Sequence, residues 1–205
     1  MGPPGAGKGT QAARVSAGLG VPTISTGDSI RAQIHAGTPL GLEAKRYTEA
    51  GELIPEELIN GMVADRLGQL DVQGGFLLDG YPRTLAQVDE LDRLLTEQGV
   101  VLDRAVELVA DTDEVVRRLL HRATLEGRAD DTEDVIRHRL EVYAEETQPL
   151  SRVYAERGLL VQVDGMGEVD DVTARIFEAI GVAPAEGSGF FPDEDGDASR
   201  AVVPA

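Results

Sequence analysis

The chain has no cysteine, no tryptophan and only two lysines, Lys8 and Lys45. Without cysteine there can be no disulfide and no thiolate-held zinc, and a reducing cytoplasm is the expected compartment. No apolar run approaches the ~20 residues of a membrane span, and no signal-peptide pattern is present, so no membrane partner is expected. Positive charge is scarce as well. Against 37 Asp and Glu stand 19 Lys and Arg, a formal net charge of -18. That balance argues against nucleic acid as the main partner. A polyanion could bind only where cations are gathered locally, so arginine spacing matters more than arginine number. The length of 205 residues and a 41% hydrophobic content suit one domain with a sizeable core.

The sequence opens on Met-Gly-Pro-Pro-Gly-Ala-Gly-Lys-Gly-Thr, residues 1–10. Glycines let backbone N–H groups turn inward, a helix N-terminus adds partial positive charge, and Lys8 adds a full one. Together they form a phosphate-binding loop. The general pattern wants Ser or Thr directly after the lysine, whereas Gly9 stands there and Thr10 comes next. Such a loop ordinarily leaves a buried strand. None precedes it here, and a misassigned start is the expectation.

Helices are predicted from Lys8 to about Leu19, from a Ser25–Asp28 cap to Ala36, over Leu40–Ala50, from Pro55 to Leu67, and along the Leu85–Leu95 stripe to Gly99. Further helices are predicted from an Asp111/Glu114 capping box through Leu120, over Thr132–Glu156 with a kink near Pro149, and over Val169–Ile180. Strands are expected at Val21–Ile24, Phe76–Asp79, Arg104–Val109 and Leu159–Val163, with a polar lobe or loop at Arg122–Asp131. This alternation implies an α/β fold, a parallel sheet with helices on both faces. Residues 183–205 carry five acids against Arg200 amid Pro, Gly and Ser, and a disordered acidic tail is expected over residues 182–205.

Three more constellations bear on chemistry. Asp79-Gly-Tyr-Pro-Arg83 with Gln87 puts a carboxylate at a strand's C-terminal end, where it could hold magnesium or its waters, and Arg83 could clamp a second phosphate. Alone, it is equally a Pro-containing turn. Thr26-Gly-Asp28 with Arg31 reads alone as an N-cap and a surface arginine. Arg118, Arg122, Arg128 and Arg139, with Asp130 and Asp131 among them, could be a solvated face of helical pairs.

In order along one chain, these motifs are more specific. Gly2-Pro-Pro-Gly-Ala-Gly-Lys-Gly-Thr10, Ser25-Thr-Gly-Asp28, Asp79-Gly-Tyr-Pro-Arg83, Gly127-Arg-Ala-Asp-Asp131 and Val163-Asp-Gly165 resemble the adenylate kinases, over residues 2–181. That resemblance implies a P-loop NTPase-type core (1–24, 55–121 and 132–181), an AMP lobe (25–54) and a short lid (122–131) without the zinc of longer lids. It implies a monomer that converts Mg-ATP plus AMP to two ADP. Gly5, Ala6, Gly7, Lys8, Gly9 and Thr10 would take the ATP phosphates, with Arg118 and the turn at Gly167 on its adenosine. Thr26, Arg31, Leu53, Ile54, Gly80, Arg83 and Gln87 would take AMP. Arg122, Arg128 and Arg139 would surround the transferred group, and Asp79 would orient magnesium waters. The alternatives are a UMP/CMP kinase, which Thr26 argues against by its size, and a truncated nucleotide-binding product without turnover.

Overall fold

The computed structural model describes residues 1–126 and 132–184. Its elements are α1 (Lys8–Leu19), β1 (Thr23–Ser25), α2 (Thr26–Ala36), α3 (Pro39–Ala50), α4 (Glu56–Leu67), β2 (Leu77–Asp79), α5 (Leu85–Gln98), β3 (Ala105–Val109), α6 (Thr112–Glu126), α7 (Glu133–Val142), α8 (Leu150–Glu156), β4 (Leu160–Asp164) and α9 (Val169–Ile180). A short 3-10 turn lies at Leu70–Val72 and a π turn at Tyr143–Thr147.

All described strand pairs are parallel, as expected. They form two pairs, β1 with β2 and β3 with β4, rather than one continuous ladder. The free edge of β3 meets Met1 instead. Its ammonium donates to the Val106 carbonyl, and the Leu108 N–H donates to the Met1 carbonyl at 3.0 Å. Beyond these bonds the chain turns at once into the loop. Leu77 of β2 nevertheless shares a core cluster with Val106, Leu108, Val163 and the α9 residues Ile176 and Phe177. A second cluster packs Ile24 and Ile30 against Ile59, Val63, Leu91 and Leu95, joining β1, α2, α4 and α5. Helices thus cover both faces, and Asp79 at the C-terminal end of β2 faces Gly9 in the first turn of α1.

Local chemistry explains the helix limits. Ser25 caps α2, its hydroxyl accepting from the Asp28 N–H at 3.3 Å. Thr38 caps α3 in the same way, at 3.0 Å from the Gly41 N–H. Gly41 has a steric role too, since a Cβ there would fall 2.1 Å from the Gln33 carbonyl oxygen, so α2 and α3 pack with no side chain between them. Asp111 caps α6 as expected, accepting from Asp113 and Glu114 N–H groups at 3.0 and 3.1 Å. The Glu114 carboxylate instead takes Arg117 and Arg118.

Two helices differ from their predicted limits. α6 continues past Leu120 to Glu126, because no glycine or proline lies between them. The predicted helix over Thr132–Glu156 is three pieces. Pro149 has no N–H to donate into the preceding turn, and the chain passes through the π turn before α8 begins. Among the described residues, no helix is long and apolar enough to cross a membrane.

Candidate active site

The loop is built by backbone geometry. Gly7 sits in the left-handed region at φ 90, ψ 13 and serves as the N-cap of α1. A residue with a Cβ is strained there. Helix α1 then presents its first unpaired N–H groups toward the loop's mouth. Lys8 folds back over the loop, its Nζ donating to the Gly2 and Pro3 carbonyls at 2.7 and 2.8 Å. Ala6 is buried, and Gly9 faces Asp79, whose Oδ2 lies 3.7 Å from where a Gly9 Cβ would stand.

Three of the arginines singled out in the sequence, Arg83, Arg122 and Arg139, bear on Lys8 of this loop. Burial, Arg83, Arg139 and Arg122 all depress the Lys8 ammonium, while Asp79 alone supports it, and its pKa falls to about 7. Arg83 keeps exposed surface. Loss of water and the nearby Arg139 and Arg31 lower its guanidinium below the usual arginine value, against Asp79. Lys8 and these arginines repel one another, and an arriving polyanion relieves that repulsion.

A second group forms beside it. Arg83 donates from its backbone N–H to Gln87 Oε1 at 2.8 Å, and from Nε to the Gly80 carbonyl at 2.8 Å. The Thr26 hydroxyl donates to that same carbonyl at 3.0 Å. Gly80, at φ 79, leaves both side chains room, since a Cβ there would fall 3.0 Å from Arg83 Nη2 and from Thr26 Oγ1. Arg31 pairs with Asp28 and lies across Gly27. Arg139 packs its Cγ 3.0 Å from where a Gly51 Cβ would be, tying α7 to the end of α3.

Leu53, Ile54 and Gln87 line a cavity of about 400 Å³, with Thr84, His138, Val142, Glu145 and Glu146 on its other walls. Sequence reasoning misses the two carboxylates from the π turn, since a helix pattern gives no link between Glu145 or Glu146 and Leu53. His138 bonds Glu52 at 3.0 Å, and that carboxylate raises the imidazole pKa. Glu56 accepts the Thr84 hydroxyl at 2.6 Å, which fixes the N-cap of α5 and hence the position of Gln87.

On the loop's other side, Arg118 Nη1 donates to the Gly165 carbonyl at 3.2 Å. Arg175 holds the Asp164–Gly167 turn through the Asp164 and Met166 carbonyls at 2.6 and 2.8 Å. Arg118 and the Gly167 turn are therefore brought together, while Arg128 lies outside the described residues.

A phosphate loop, a carboxylate at the end of a parallel strand and arginines gathered beside them are the arrangement of a P-loop phosphotransferase. The family model described as adenylate kinase matches residues 1–159. A protein named adenylate kinase from Kocuria rhizophila is 63% identical over 180 residues, 88% of this chain and 96% of its own length. Proteins of the same name from Nocardioides sp. and Micrococcus luteus are 59% and 53% identical, over 90% and 92% of this chain and 96% and 92% of their own lengths. The chain belongs to the adenylate kinase family, enzymes that transfer a phosphoryl group reversibly between ATP and AMP.

Proposed function

We propose that this chain performs that transfer with the residues of this cleft. ATP phosphates lie on the amides of Gly5–Thr10 and on Lys8, with the adenosine against Arg118 and the Gly167 turn. The AMP phosphate sits on Arg31 and Arg83. Its adenine enters the cavity walled by Leu53, Ile54 and Gln87, beside Thr26 and Gly80. Arg122, Arg128 and Arg139 bear on the transferred group. A phosphate oxygen of AMP attacks the γ-phosphorus, the bond to the β-phosphate oxygen breaks, and two ADP result. The attacking oxygen is already anionic, so no general base is required. The barrier lies in holding anions together, which cations and position supply.

The donor set suits magnesium. Asp79 is a hard oxygen ligand whose Oδ2 accepts a long 3.3 Å contact from the Ser25 hydroxyl, and it faces the loop across Gly9. Asp79 would hold the ion through water, and the ion would neutralise charge on the phosphates. The lobe (25–54) and the lid (122–131) would close over both nucleotides and exclude water. We take the enzyme to act as a cytoplasmic monomer.

The observation that carries this reading is the convergence of Arg83, Arg139 and Arg122 on Lys8 beside Asp79. The test is ADP formation from Mg-ATP with AMP, UMP or CMP. Turnover with AMP alone is expected. Comparable turnover with UMP or CMP would contradict the AMP assignment, and tight binding without turnover would contradict the catalytic one.

A further inference from the structure

Arg83 is held on three sides, and only two of the ties are local. Gln87 and Gly80 bond it from its own turn. The third tie comes from 64 residues away, where the Thr147 hydroxyl donates to the Arg83 backbone carbonyl at 2.9 Å. Thr147 is buried and is the last residue of the π turn. That turn continues directly from α7, which carries Arg139 four residues before Tyr143. One short segment therefore bears one active-site arginine and grips the backbone of another. A π turn changes the angular position of the residues after it, and such turns gather at functional sites.

The segment is itself anchored from below. Glu107 of β3 is 6% exposed, and neutral groups meet its carboxylate. It accepts the Ser151 hydroxyl at 2.5 Å and Gln162 Nε2 at 2.9 Å, and it hydrogen-bonds the Tyr143 phenol. Burial, with the charge and hydrogen bond of Glu107, pushes that phenol up to about 12. A buried carboxylate retained with neutral donors fixes whatever those donors belong to. Here Tyr143 and Ser151 belong to the two ends of one stretch of chain, with Thr147 between them.

We propose that Thr147, seated by the Glu107–Tyr143–Ser151 anchor, is a positioning residue that sets Arg83 against Arg139 for phosphoryl transfer to the acceptor nucleotide. The inference rests on the reading of Arg83 as the acceptor-phosphate clamp. Its physical basis is that a side chain aims no better than its backbone is held. A shift of about 1 Å at a reacting group can cost up to ~10²-fold in rate. Thr147 also satisfies a carbonyl, which is a structural role, so the two must be separated by readout.

Thr147→Val keeps the shape and removes the donor. With AMP varied at saturating Mg-ATP, kcat/KM for AMP is expected to fall about tenfold, while KM for ATP stays within about twofold. Thr147→Ser restores the donor and is expected to restore kcat/KM. Arg83→Met is measured alongside. If it loses AMP turnover while Thr147→Val keeps wild-type kcat/KM, the positioning role is overturned and the clamp stands. If Arg83→Met itself behaves as wild type, the clamp reading fails. If Thr147→Val weakens ATP and AMP equally together with the thermal midpoint, Thr147 is merely structural and the proposal fails. Tyr143→Phe leaves Thr147 intact and loosens its anchor. It carries the same selective prediction should Thr147→Val not fold.

Discussion

Arg83→Met is expected to lose about 10³-fold in kcat/KM for AMP, with little change in affinity for ATP. The guanidinium stands where two groups of residues meet. On one side are Thr26, Gly80 and Gln87, which share hydrogen bonds with its turn. On the other are Lys8 and Arg139, whose charges bear on the same space. Methionine keeps much of the stem but removes the charge and the Nε bond to Gly80. Arg83→Lys restores a charge without the planar fork and should recover only part of the loss, since a pair of phosphate oxygens is best met by two parallel N–H donors. Steady-state kinetics with each nucleotide varied separates the acceptor effect from the donor effect. Equal losses on both would mean that Arg83 does not belong to the acceptor side.

Lys8→Met is expected to reduce kcat by a similar order, ~10³-fold, because no other cationic side chain lies within residues 2–10 to track charge on the transferred group. The same variant should abolish a proton uptake. Burial and then Arg83, opposed by Asp79 and reinforced by Arg139 and Arg122, bring the Lys8 pKa from 10.5 down to about 7. At pH 8 the free site is then mostly neutral at Lys8, and a bound polyphosphate favours the ammonium. Binding should take up somewhat less than about one proton at pH 8 and far less at pH 6. Calorimetry in buffers of different ionisation enthalpy reads this directly. No buffer dependence at pH 8 would contradict it. The same shift fixes the sign for folding. Between about 7 and 10.5 the unfolded chain binds the proton that the folded chain has released, so this group's contribution to stability rises with pH across that window.

The parts of this molecule visible in its sequence are those where chemistry is local. Ser25 and Asp111 act as caps because a side-chain oxygen two or three residues from free N–H groups has few other partners. The loop of residues 2–10 is legible because glycine, lysine and a helix start must be adjacent to cradle a phosphate. Gln87 and Arg83 lie four residues apart and do meet. The illegible parts depend on distant segments. The Leu53–Gln87 cavity gains Glu145 and Glu146 only through the π turn, and a helix pattern over Thr132–Glu156 gives no sign of one. Glu107 reads as a polar interruption in a strand until Tyr143, Ser151 and Gln162 are folded onto it. The two strand pairs, with Met1 on the free edge of β3, arise from tertiary pairing that no window of residues encodes.

Every role assigned to these residues requires that one cleft hold two nucleotides end to end, with Lys8, Arg83, Arg122 and Arg139 around the phosphate between them. A crystal structure of the chain bound to two adenosines joined by five phosphates tests this most directly. One adenine is expected in the cavity of Leu53, Ile54 and Gln87, the other against Arg118 and the Gly165–Gly167 turn, and the phosphates across those four cations. Phosphates lying away from Lys8 and Arg83, or an empty Leu53 cavity with both adenines elsewhere, would contradict it.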